Sequence, residues 1–248
     1  MISDVHLGLG ASPERPAGPV EGTGEVLAEQ LLRSVRSAGG DGIIIAGDAK
    51  HPIVGTPPAL RPVVFDFFGR LLGEGLDVEL VLGNHDVGIV RHLPREVVVH
   101  PADGIVREGV GIFHGHRWPS HEVLRASKLV AGHLHPGFRL APTAADPEGK
   151  RRCWVRVRVE PLPTPPRRPR QRPEPAAREI VILPAFNPIA GTESLNRESP
   201  ARGRSFLYRR FLARGPARAY LLDGTDLGPL VISAAPPRRS ARGAPPGP

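Results

Sequence analysis

Short apolar runs recur along the first half of the chain, and each ends in the same kind of residue. Gly42-Ile43-Ile44-Ile45-Ala46 stops at Gly47-Asp48, and Val78-Glu79-Leu80-Val81-Leu82 stops at Gly83-Asn84-His85-Asp86. Val110-Gly111-Ile112-Phe113 stops at His114-Gly115-His116, and Leu129-Val130-Ala131 stops at Gly132-His133-Leu134-His135. Brief β-branched and aliphatic runs of this kind read as strands. Between the first two lie stretches with helical spacing. Val26, Leu27, Leu31, Leu32 and Val35 form one, closed by Gly39-Gly40. Leu60, Val63, Val64, Phe67, Phe68, Leu71 and Leu72 form another, closed by Gly73. Alternating strands and helices predict βαβ units, an α/β class and parallel pairing. In such sheets the carboxyl ends of the strands gather along one edge, where ligands bind.

Further along, Cys153 to Val159 alternates apolar and basic residues, the period of a half-buried strand, and Glu179-Ile180-Val181-Ile182-Leu183 is a second strand. Between them Pro161 to Pro175 holds seven prolines. Such a run supports neither helix nor central strand, because proline lacks the N–H and its ring clashes with a helical neighbour. The reading is a single domain over 1–233 with an extended, disordered insertion at about 160–178 inside a long hairpin, followed by a frayed tail over 234–248.

Composition changes this picture in three places. The 248 residues are 40% hydrophobic, enough for a buried core. The net charge of +8 lies within residues 150–178, which hold ten basic and two acidic residues. A basic loop can contact nucleic-acid phosphates. It has no aromatic residue over 160–178 for stacking on bases, and a solvated linker is the preferred reading. One cysteine, Cys153, excludes a disulfide framework and a Cys-rich zinc site. No apolar run nears the ~18 residues of a membrane span. No secretory signal opens the chain, so a cytoplasmic protein is expected.

The chemistry lies at the strand ends. With Asp4-Val5-His6 at the start, there are five clusters, and six of the ten histidines fall in them. A lone Asp-x-His is ordinary surface chemistry, and Gly-Asp after a strand is commonly a turn. Five clusters in succession point to a metal site. Asp4, His6, Asp48, Asn84, His114, His133 and His135 offer carboxylate, amide oxygen and imidazole, a mixture suited to Mn²⁺, Fe²⁺ or Zn²⁺. Seven ligands are too many for one metal that keeps an open position, and suit two metals sharing a carboxylate.

These motifs, in this order, resemble those of the calcineurin-like metallophosphoesterases. Asp48-Ala49-Lys50-His51, His114-Gly115-His116, Gly132-His133-Leu134-His135-Pro136 and Pro184-Ala185-Phe186-Asn187 further resemble the ICC-like branch, which includes phosphoesterases associated with DNA ligases. The resemblance implies a four-layer α/β/β/α sandwich with two central mixed sheets. It implies one metal on Asp4, His6, Asp48 and His135, and another on Asp48, Asn84, His114 and His133, with Mn²⁺ preferred. Attack by metal-bound hydroxide on a phosphoester would follow, with His85 as general acid and Asp86 holding its ring. His116, Lys50 and His51 are candidate phosphate contacts. The basic insertion and the ligase-associated likeness tilt the substrate towards a phosphodiester, in nucleic acid or a nucleotide. Two other readings are a nucleic-acid-binding scaffold that keeps the fold without catalysis, and a mononuclear zinc hydrolase.

One feature departs from the family pattern. Only Met1, Ile2 and Ser3 precede Asp4, fewer than the ~5–6 residues of a typical strand. The expectation is a start assigned too far downstream. Loss of a strand there would leave its neighbours without backbone partners and loosen Asp4 and His6.

Overall fold

A computed structural model describes residues 1–10, 23–143, 148–159, 179–197 and 205–230 of the protein. The insertion and tail expected from the proline pattern lie outside these residues.

The first half builds one layer of helix on one parallel sheet. Helix α1 (Gly24–Ala38) starts at Thr23, whose hydroxyl accepts from the Val26 N–H, and ends at Gly39 in the left-handed conformation. Helix α2 spans Leu60–Gly73. Strands β1 (Gly42–Ala46), β2 (Asp77–Val81) and β3 (Val98–His100) pair in parallel, with Ile45 opposite Leu80 and Leu80 opposite Val99. The two helices bury Leu27, Leu31, Val64, Phe67, Phe68 and Leu71 against Ile43, Ile45, Val78 and Leu80.

The second sheet is mixed. Its centre is β5 (Val110–Phe113), β6 (Lys128–Ala131) and β9 (Glu179–Ile182), all parallel. Antiparallel β4 (Ile105–Arg107) extends it on one side and β8 (Lys150–Arg158) on the other. Strands β8 and β9 pair Val157 with Ile180, so the predicted hairpin flanks 160–178. Strands β7 (Pro136–Arg139), β10 (Glu193–Ser194), β11 (Ala217–Leu221) and β12 (Asp226–Leu230) complete the sheet. Short helices α3 (His121–Leu124) and α4 (Phe206–Arg210) cover its outer face through Val123, Leu124, Leu207 and Phe211.

The inner faces of the two sheets meet. Ala46 and Val81 of the first pack on Ile112, Val130 and Leu183 of the second, with Ile44 and Trp154 beside them. Alternate residues of one strand thus serve different cores: Ile45 faces the helices and Ala46 faces the other sheet. This double burial explains why the strands read as nearly unbroken apolar runs. The result is an α/β/β/α sandwich. At its rim Glu79 of β2 accepts from Arg107 of β4 (2.6 and 3.1 Å) and pairs with His100 of β3, bridging the sheets. Among the described residues no helix is long and apolar enough to cross a membrane.

The start of the chain is braced on both sides. Met1 to Ser3 leave no gap along β1 at Ile45, because Ile2 bridges Ile45 in parallel. The Ile2 N–H donates to the Ile44 carbonyl (3.0 Å) and the Ala46 N–H to the Ile2 carbonyl (2.8 Å). On the other side the Phe186 N–H donates to the Ser3 carbonyl (2.9 Å). Asp4 and His6 are therefore held, not loose, and both are buried.

Candidate metal centre

Each strand ends where the chain must turn sharply to aim a side chain along the shared rim. Among the described residues six non-glycine positions have positive φ, and five are predicted ligands: Asp4 (58°), His6 (47°), Asp48 (56°), His133 (69°) and His135 (47°). The sixth, Glu108, lies in the tight turn between β4 and β5. Left-handed backbone is costly for a residue with a Cβ and clusters at functional sites. Gly47, at φ 88°, shows a second constraint, since a Cβ there would run into the His114 ring. A Cβ on Gly83 would strike Asp48. The glycine before one motif thus makes room for the ligand of another.

Residues between positions 4 and 135 converge in two groups. In the first, ligand atoms of Asp4, His6 and His135 lie within 4.8 Å of one another. His135 Nε2 is 3.1 Å from Asp4 Oδ1 and 3.1 Å from His6 Nε2. In the second, Asp48, His114 and His133 lie within 4.8 Å of one another. His114 Nε2 is 3.1 Å from Asp48 Oδ2 and 3.2 Å from Asn84 Oδ1. Asp48 Oδ2 also lies 3.9 Å from His6 Nε2, between the groups. All seven predicted ligands are brought together.

The hydrogen bonds around the rings suit cations. His114 Nδ1 donates to the Ala46 carbonyl (2.8 Å) and His135 Nδ1 to the Gly191 carbonyl (2.9 Å). These bonds fix the tautomer and leave each neutral ring's Nε2 lone pair facing oxygen acceptors. Two acceptors face to face require a proton or a cation between them. Burial lowers the pKa of His114, but the Asp48 carboxylate outweighs it and pushes the ring up to about 9. Asp48 and Asp4 are held below the usual carboxylate range: burial opposes this, and His114 and His135 respectively overcome it. His6 and His133 go the other way, to about 4, chiefly through burial. Carboxylates, an amide oxygen and oriented imidazoles in one buried cluster fit a pair of divalent cations.

Around this cluster the structure revises two roles, those of Asp86 and Lys50. His85 Nε2 points at Asp48 Oδ2 (3.8 Å), while its Nδ1 is held by the His51 carbonyl. Asp86 does not hold the His85 ring, as the sequence suggested. Its buried carboxylate accepts the backbone N–H groups of Gly83 (2.8 Å), Asp48 (2.9 Å), Ala49 (2.9 Å) and Lys50 (3.3 Å). Lys50 is fully buried and does not reach out to a phosphate. Its ammonium donates to the carbonyls of Pro52 and His85, tying the two ligand loops together. His51 is half-buried at the rim, with Nδ1 3.5 Å from His6 Nδ1. His116 faces His114 and His133, its ring centre 5.3 and 6.2 Å from theirs. Its Nδ1 has no hydrogen-bond partner among the described residues.

Asn187 has a role that the sequence reading did not assign. Its side-chain amide donates to the Val5 carbonyl (2.9 Å) and its backbone N–H to the Asp4 carbonyl (3.4 Å), bracing the turn that presents Asp4 and His6. Full burial of an asparagine after an apolar strand is the only signal, and it appears only in three dimensions.

No family model matches the chain. No curated protein matches it significantly in sequence. Among solved structures, the Pseudomonas putida nuclease MPE is 24% identical, with a TM-score of 0.54 over 88% of this chain and 82% of that chain. YfcE, a phosphoesterase from E. coli, is 16% identical, with a TM-score of 0.39 over 94% of this chain and 97% of that one. The first likeness is one of fold, and the second is too distant to add to it.

Proposed function

We propose that the chain is a phosphoester hydrolase of the calcineurin-like, ICC-like kind, working with two divalent cations. The observation that carries this reading is the position of Asp48 Oδ2, which faces His114, His6 and His85 at 3.1 to 3.9 Å and lies between two three-residue donor groups. Asp4, His6, Asp48 and His135 would hold one cation, and Asp48, Asn84, His114 and His133 the other. Mn²⁺ is the preferred metal, with Fe²⁺ or Zn²⁺ as alternatives. Such a pair supplies Lewis acidity towards a phosphoryl oxygen and an acidified water.

The chain's own residues do the rest. His85 donates its Nδ1–H to the His51 carbonyl, so its Nε2 carries a proton only in the imidazolium form, and in that form it passes the proton to the leaving oxygen. His116 and His51, on opposite sides of the cluster, contact the phosphate. Lys50 holds the His85 loop in place through its carbonyl. The substrate is a phosphodiester, in nucleic acid or a nucleotide, in keeping with the nuclease that shares the fold.

The test is to strip the protein with chelator, reload it with Mn²⁺, count the metal and assay chromogenic phosphodiesters and single-stranded DNA. The expected result is about two cations per chain and metal-dependent hydrolysis. His85→Ala should keep both cations and lose most activity, more so with an alkyl leaving group than with nitrophenol. About one cation per chain would instead support a mononuclear site, and none hydrolysed by the loaded protein would support a scaffold.

A further inference from the structure

We propose that His6, His51 and His85 form a third cation site at the rim, which takes Zn²⁺ or another late first-row cation and withdraws the proton donor. The proposal rests on the two-metal reading above. One nitrogen can be chosen from each of the three rings so that all lie within 4.8 Å of one another. His6 Nδ1 and His51 Nδ1 are 3.5 Å apart. A tetrahedral zinc with Zn–N of ~2.0–2.1 Å sets its nitrogen ligands roughly 3.3–3.4 Å apart, so this pair is already at ligand spacing. The His51 and His85 rings lie nearly parallel, 28° apart, with centres 5.7 Å apart, and His6 stands edge-on to both.

Donor chemistry separates this trio from the pair site. Each of the other two groups includes a carboxylate, and the trio has none. Three neutral imidazoles favour zinc, copper or nickel over manganese or magnesium. His6 is buried, whereas His51 and His85 are half-buried, so a cation arrives from solvent and keeps an open fourth position. The frame is preorganised: Lys50 ties the backbone next to His51 to the His85 carbonyl, and the His51 carbonyl holds the His85 ring.

The His6 ring faces both ways, with Nε2 towards His135 (3.1 Å) and Nδ1 towards His51 (3.5 Å). With a cation on each side it gives up its N–H proton to solvent, so the third cation binds more weakly than the pair. With Nδ1 held by the His51 carbonyl, Nε2 is the His85 nitrogen left to a cation, and it is the one that would carry the proton for the leaving group. Zinc filling the trio therefore inhibits the loaded protein over and above any zinc that replaces manganese at the pair, which zinc also suits.

The experiment dialyses Mn²⁺-loaded protein to equilibrium against constant Mn²⁺ and rising Zn²⁺, then counts both bound metals and measures hydrolysis. The wild type should take up one zinc per chain beyond any that replaces manganese, so that total bound metal rises by one, and hydrolysis should fall as that extra metal binds. His51→Ala should keep its manganese, which also reports that it has folded, and bind zinc roughly tenfold or more weakly. A total of bound metal that never rises above that of the manganese-loaded protein, or an equal total in His51→Ala, would overturn the proposal. Should the wild type bind no manganese, the two-metal reading fails by itself. The trio is then still judged by whether His51→Ala binds one zinc fewer than the wild type.

Discussion

Replacing Asp86 by asparagine exchanges one acceptor oxygen for an NH₂ group at nearly constant volume. Asp86 is 2% exposed. Its Oδ2 accepts from Gly83 and Asp48 and its Oδ1 from Ala49 and Lys50. An amide nitrogen cannot accept. Whichever way the new amide is flipped, two of the four backbone donors lose their partner. A buried donor left unsatisfied costs about 1–3 kcal/mol, so Asp86→Asn should destabilise the fold by about 2–6 kcal/mol. That is a large share of the ~5–15 kcal/mol that holds a typical domain together. With a urea slope of about 2 kcal/mol/M, the unfolding midpoint should fall by roughly 1–3 M. The measurement is urea unfolding of both proteins in chelator, which isolates the hydrogen-bond loss from metal binding. A stability within about 0.5 kcal/mol of wild type would refute the reasoning. A ring-holding Asp86 would give that result, with lost hydrolysis and an unchanged fold.

Two further outcomes are expected. Asn187→Ala removes the bond to the Val5 carbonyl behind Asp4 and His6. It should weaken the cation held by Asp4, His6 and His135 while sparing the other, read as metal retained per chain after graded chelation. At the rim, the Arg107 guanidinium holds the Glu79 carboxyl below its ordinary value of 4.5. The clamp's contribution is therefore complete above that value and is lost as pH falls through the lower folded one. Glu79→Gln should remove this acid-side loss, about 0.5–1 kcal/mol, seen by comparing urea midpoints at pH 7 and below pH 4.

The sequence shows most of the frame because the strands that carry the site are buried on both faces. Ile43 and Ile45 face the helices while Ile44 and Ala46 face the second sheet, so no polar residue interrupts the run. Helices α1 and α2 are legible from their apolar stripes and terminal glycines. Most of the candidate ligands are legible because they sit where an apolar run stops. Roles that depend on distant backbone are hidden. Lys50 beside Asp48 looks like a phosphate contact, and only the fold brings the Pro52 and His85 carbonyls to its ammonium. Asp86 beside His85 looks like its partner, yet its acceptors are turned to the turn at 48–50. The bracing of Asp4 and His6 is hidden as well, because Phe186-Asn187, which supplies it, lies some 180 positions away. Strands as short as β3, β4 and β10 carry too few residues for any period to show.

These hidden contacts share a pattern: each ligand turn is braced by a different motif. Asp86 of the third cluster holds the backbone of Asp48 in the second. The Asp4 carboxylate accepts the His133 N–H (3.0 Å), linking the first to the last. The Asp4 and His6 N–H groups donate to the carbonyls of Gly47 (3.0 Å) and Asp48 (2.9 Å). Gly47 leaves room for His114, and Gly83 leaves room for Asp48. Left-handed backbone at five ligands costs of order 1–3 kcal/mol each and persists only where the surroundings over-determine it. No cluster could meet that cost within its own few residues. A lone Asp-x-His or Gly-Asp therefore carries little information, whereas five in order, four of them at strand ends, brace one another's geometry.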